Sequence, residues 1–78
     1  MSIDEALSDF ENESNDELRS LSKKTGIDYL DLMVENIRMR ESYLTAYCIK
    51  HQHIPNEQEE IGVYRDVLKI IIEKYNDG

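Results

Sequence analysis

From Asp28 to Gln52 the chain runs without a proline or a glycine, and it then meets its one proline at Pro55. Nothing else constrains the fold as strongly. Leu30, Met33, Val34, Ile37, Leu44, Tyr47 and Cys48 recur at helical spacing within that stretch, because residues three and four apart share one face of an α-helix. Pro55 ends whatever precedes it, since its ring disfavours the helical region for Ile54 and it has no amide hydrogen to donate. The pattern predicts a helix over 28–52, a corner at Pro55 and a further helix over 56–75. Its weak point is 38–42, where Arg38, Arg40, Glu41 and Ser42 interrupt the stripe and Glu41 stands where an apolar group is wanted. The alternative is a break near residue 40 into two helices.

Boundary residues support the same division. Ser14-Asn15-Asp16-Glu17 reads as a capping box that opens a helix over 15–25, with the Ser14 side chain capping the amide at Glu17 and Glu17 reaching back. Leu18 and Leu21 give that helix an apolar side, Lys23 and Lys24 complement the dipole in its last turn, and Gly26 is free to take the left-handed conformation that ends it. Asp28 is the next N-cap, with Ile27 stapled onto Leu32. Asn56 with Glu59 three residues on repeats the capping signature. Ile61, Tyr64, Val67, Leu68, Ile71, Ile72 and Tyr75 then follow one another at helical spacing. Gly62 costs this helix about 1 kcal/mol relative to alanine, which implies close packing there or a frayed first turn. No segment alternates with period two and no Asn-Gly or Asp-Gly joins two apolar runs. The fold class is therefore all-α: a small bundle of three or four helices over about 15–25, 28–52 and 56–75.

Charge separates the first residues from the rest. Net charge is −8, and Asp4, Glu5, Asp9, Glu11, Glu13, Asp16 and Glu17 fall within residues 1–17, which hold no Lys or Arg. Ten acids against nine bases remain in 18–78. The reading is an acidic tail over 1–14, mobile when alone, followed by a single helical domain over 15–78. Within the tail Ile3, Ala6, Leu7 and Phe10 make a two-turn apolar stripe, too short to persist as an isolated helix, so Leu7 and Phe10 either are anchors for a groove on another protein or fold back onto the body. Such a tail repels nucleic acid and anionic membranes and steers toward basic protein surfaces.

At 78 residues the core is thin. A core of this size supplies about 3–5 kcal/mol, which invites a partner or a second copy of the chain, a homodimer, to complete it. One cysteine, Cys48, forms no internal disulfide and fits a reducing, cytoplasmic setting. No basic-then-apolar leader and no long apolar run is present, so neither secretion nor a membrane is expected.

Catalysis has little to work with. His51 and His53 with Cys48 fall short of the four ligands of a structural zinc site, and on one helix positions 51 and 53 point about 160° apart. Cys48 lies on the apolar stripe, where cysteine behaves as a small hydrophobe, and no phosphate-binding glycine loop occurs. The expectation is a non-enzyme with no metal and no cofactor. LRSLSKKTGIDYLDLMVENI, residues 18–37, has the outline of a helix-turn-helix, but its second helix would turn Asp28, Asp31 and Glu35 toward phosphates that need Lys and Arg. A DNA-binding regulator is thus one alternative, and an acidic DNA mimic that inhibits a nuclease or DNA-binding protein is another.

The run YLTAYCIKHQHIPNEQEEIGVYRDVLKIIIEKYN, residues 43–76, carries Tyr43, Leu44, Tyr47 and Cys48, then Ile54, Pro55 and Glu57, then Leu68, Lys69, Ile72, Glu73 and Lys74. In these positions it resembles the late-transcription co-activators of T4-type bacteriophages. The resemblance implies a small helical adaptor that grips the flap of the host RNA polymerase β subunit and links it to a sliding clamp and a late sigma-like factor. For such an adaptor Tyr43, Leu44, Tyr47, Ile54, Leu68 and Ile72 are the candidate partner-binding groove, the alternative being that they are the chain's own core. Family members reach the clamp with an acidic, apolar C-terminal tip, whereas this chain ends Tyr75-Asn76-Asp77-Gly78; Leu7 and Phe10 are the candidates to replace it.

Overall fold

The computed structural model describes residues 3–76, and over them the chain forms three α-helices with no strand. They are α1 (Ile3–Thr25), α2 (Tyr29–His51) and α3 (Glu57–Asn76). The links are short, and consecutive helices run antiparallel: along α2, Arg19 of α1 stacks on Tyr29 while Glu11 reaches Arg40, and Glu35 meets Lys74 while Tyr47 meets Glu59. Met1, Ser2, Asp77 and Gly78 lie outside the described residues, and with them the end where the resemblance places a clamp-binding tip.

Helix ends follow the residues that stop them. Gly26 takes φ 79° and its amide donates to the Ser22 carbonyl at 2.9 Å, while the Thr25 hydroxyl donates to the Leu21 carbonyl at 2.7 Å. Asp28 caps α2 by accepting from the Leu30 amide at 3.0 Å, and Ile27 packs against the core that contains Leu32. α2 ends at Gln52, a non-glycine residue at φ 57° whose amide donates to the Cys48 carbonyl at 2.8 Å. Asn56 and Glu59 exchange both bonds of a capping box, at 2.9 and 3.1 Å.

The core is made of Leu18 and Leu21 from α1, Leu32 from α2, and Val67, Leu68 and Ile71 from α3. Ile27, Tyr29, Met33, Met39, Ile72 and Tyr75 close over it, and Phe10 and Val63 are also buried.

One expectation changes, and one alternative falls away in favour of the continuous helix expected over 28–52. First, α1 does not begin at Ser14: it runs unbroken from Ile3, and residues 3–14 are its first half. The inward positions are Leu7, Phe10, Ser14, Leu18 and Leu21, one continuous stripe whose single polar member mimics a cap in the sequence. Ser14 is fully buried and its hydroxyl accepts from Arg40. Acids on the first turns also suit the positive end of the helix dipole. Second, α2 is not broken near residue 40. Glu41, where the sequence stripe is interrupted, lies with Leu30, Val34 and Ile37 on the side of α2 turned away from the core.

Candidate functional site

Each of the large apolar side chains most exposed among the described residues lies on α2 or the corner after it: Leu30, Val34, Ile37, Tyr43, Ile49 and Ile54, at 65, 47, 50, 41, 73 and 85%. Among the described side chains, none lies on α1 or α3. At about 100° per residue, Leu30, Val34, Ile37, Glu41, Leu44 and Cys48 form one strip, with Leu44 and Cys48 half-buried. The core is reached instead through Tyr29, Leu32, Met33 and Met39, with Asn36 and Arg40 buried on the same side, about a third of a turn round the helix. Most of the stripe that marks α2 as a helix in the sequence is therefore its outer face, Met33 and Tyr47 alone turning inward.

Polar contacts fix this rotation. Arg40 is 11% exposed at its side chain and sits among all three helices. It donates to Glu11 Oε1 at 2.7 Å and to Ser14 Oγ at 3.2 Å, and its guanidinium stacks on Tyr64 with 4.2 Å to the ring centroid. Tyr64 in turn donates to Glu60 at 2.5 Å; burial first, and this bond second, push its hydroxyl up to about 12. One turn earlier Asn36 is buried with its Oδ1 unpartnered, and Glu35 accepts from Lys74 at 2.7 Å and from Tyr75 at 2.6 Å. Those two bonds, Lys74 foremost, hold the Glu35 carboxyl below its ordinary range. Rotating α2 to hide Leu30, Val34 and Ile37 would expel Arg40, Asn36 and Glu35 from these places.

The residues named from sequence divide between places. Tyr43 and Ile54 are exposed, Leu44 and Tyr47 are half-buried, and all four belong to α2 or its corner. Leu68 is a correction: at 8% exposure it is core, because it faces Leu18, Leu21 and Leu32, and Ile72 packs against the same cluster. The six do not form one groove. Phe10 is also corrected, being buried at 5% rather than presented as a tail anchor; Leu7 beside it is half-buried. Phe10, Leu68 and Ile72 instead floor a groove of about 380 Å³ between α1 and α3, with Glu13 and Glu17 on one rim and Arg65 and Lys69 on the other.

At the corner Tyr47 donates to Glu59, His53 Nε2 stands 3.8 Å from the same carboxylate, and the rings of His51 and His53 are 6.1 Å apart. The separation expected on one helix does not apply, because Gln52 ends α2 between them. The Tyr47 hydroxyl is raised, and Glu59 lowered, chiefly by their mutual bond. Among the described residues no three His, Cys, Asp or Glu side chains come together as a metal site, and no helix is long and apolar enough to cross a membrane.

Arg40 was not legible as a site residue. Its signal was present, though: a lone arginine in phase with Tyr29, Leu32 and Asn36. Comparison with family models, curated proteins and solved structures gives no match for this chain.

Proposed function

We propose that the chain is a non-catalytic docking module whose working side is α2 and the corner that follows it, and that its partner is the transcription machinery. The observation that carries the docking reading is the confinement of the most exposed large apolar side chains to α2 and the corner after it, with Leu30, Val34 and Ile37 together on one strip. Scattered apolar exposure is ordinary on a folded surface, whereas a contiguous patch marks an interaction site. The partner class comes from the resemblance over residues 43–76. Of the positions that carry it, Tyr43 and Ile54 are exposed toward the C-terminal end of α2, as Ile49 is, and exposure there supports the reading that this end contacts RNA polymerase, β-flap first, with a sliding clamp or sigma-like factor as further partners.

Purified bacterial RNA polymerase passed over immobilised protein tests this. Retention by wild type and loss with Ile54→Asp combined with Tyr43→Asp, at unchanged helicity, is the expected result. Absence of retention by wild type removes the polymerase reading.

One observation favours a DNA mimic as the second reading. Glu5, Asp9, Glu13 and Asp16 lie within about a quarter-turn of one another along α1, so the acids form an ordered ridge and not a loose tail. Against it, one acid per four residues is about 6 Å of helix, roughly half the charge density of the about 3.4 Å per phosphate along a DNA strand. A helix-turn-helix DNA reader is disfavoured by the apolar outer face of α2, where Arg38 is the one exposed base before Lys50. A low-salt mobility shift with mixed-sequence duplex is expected to show no complex.

A further inference from the structure

We infer that the outer strip of α2 is covered by a second copy of this chain, the two α2 helices lying antiparallel across a two-fold axis near residue 39. The spacing of the strip is the first observation. Leu30, Val34, Ile37, Glu41, Leu44 and Cys48 are separated by four, three, four, three and four residues, the a/d alternation by which one helix seams to another. A helix that only covers its own core has no use for that repeat on its outside.

The strip is also its own complement. When residue i of one copy faces residue 78 − i of the other, Leu30 meets Cys48, Val34 meets Leu44 and Ile37 meets Glu41, and each layer repeats across the axis. Glu41 then lies one residue from level with Arg38 of the other copy, an axial offset of about 1.5 Å. Both side chains are exposed, and neither makes an ion pair or a side-chain hydrogen bond in its own chain among the described residues. The antiparallel pair supplies each with its opposite charge, and the pair occurs twice, once on either side of the axis. A parallel pair would set the two Glu41 carboxylates against each other within an apolar seam, a cost without compensation.

Net charge selects the same surface. Two copies at −8 each repel, yet α2 is neutral, with Asp31, Glu35 and Glu41 against Arg38, Arg40 and Lys50. The acid-rich half of α1 packs on its inner side. The seam is short, about 27 Å from Leu30 to Cys48 at 1.5 Å per residue. α2 is already held by its own core, so pairing does not bear the cost of ordering the helices.

The second copy occupies the strip, leaving the Tyr43–Ile54 end for the partner considered above, and the inference does not depend on which partner that is. Sedimentation equilibrium on the full chain tests it, with circular dichroism to show that each variant is folded. Wild type is expected to dimerise. Val34→Asp with Ile37→Asp is expected to leave a folded monomer. Arg38→Glu and Glu41→Arg are each expected to raise the dimer Kd about tenfold, since each reverses both symmetric pairs, and the double variant Arg38→Glu, Glu41→Arg to return it to near the wild-type value. Orientation is read by oxidation. Leu30→Cys is expected to cross-link through Cys48 of the other copy, while wild type, with its two Cys48 side chains at opposite ends, does not cross-link. A wild-type monomer, a dimer indifferent to Val34→Asp and Ile37→Asp, or ready Cys48–Cys48 cross-linking overturns the inference. Retention of RNA polymerase by the monomeric Val34→Asp, Ile37→Asp variant leaves the functional reading standing when the dimer falls.

Discussion

Arg40 shows what one side chain does in a core this small. A guanidinium that lies between three helices needs an acceptor from each side, and Glu11, Ser14 and the face of Tyr64 supply them. Truncation to alanine removes the cation–π contact, leaves the buried Ser14 hydroxyl short of a donor and opens a cavity. Arg40→Ala is therefore expected to cost about 2–3 kcal/mol in urea unfolding. Arg40→Met, which keeps the volume and removes the charge, is expected to cost clearly less. Glu35 gives a pH signature. Its carboxyl titrates lower in the folded chain than in the unfolded one, so the unfolded chain binds the proton more tightly. The stability it adds is complete above about 4.5, the unfolded value, and fades as the pH falls through the lower folded value. The loss of stability between pH 6 and pH 3 is expected to be smaller in Glu35→Gln than in wild type. Tyr64 acts at the other limit with the opposite sign: the folded chain holds its proton up to about 12, so its contribution is complete below 10 and is lost as the pH rises between the two.

At the scale of the helices, what was legible in sequence was the punctuation. Gly26, Asp28, Pro55 and the Asn56–Glu59 box stand where the periodicity places them. Which face of α2 turns inward was not legible, because the helix has two candidate stripes. The more apolar one, Leu30–Val34–Ile37, faces out, and the inner one carries Asn36 and Arg40, whose partners lie at Glu11, Ser14 and Tyr64, far off in sequence. Ser14 misled for the same reason, since its hydroxyl serves Arg40 and not a helix end. Of the docking candidates around Pro55, Tyr43 and Ile54 are exposed, while Leu68 belongs to the core. Gly62 has no packing reason to be glycine, as a Cβ there would meet nothing within 4 Å. Gly62→Ala is expected to stabilise the fold by about 0.5–1 kcal/mol in thermal or urea unfolding. Gln52, held at φ 57°, is expected to gain up to about 1 kcal/mol on replacement by glycine.

For the whole molecule, the three helices form a slab of 38 × 30 × 18 Å with a radius of gyration of 13.2 Å. A compact chain of this length has a radius near 11.5 Å, so the bundle is extended, and its surplus surface includes the apolar strip of α2. Acids on α1, a neutral α2 and a mixed α3 give it three distinct sides. The account stands on the rotation of α2, which thiol labelling of dilute protein tests most directly. In a Cys48→Ser background, Ile37→Cys is expected to react nearly as fast as an unfolded control, and Leu32→Cys orders of magnitude more slowly. Fast labelling at position 32 with protection at position 37, at every protein concentration, would contradict it.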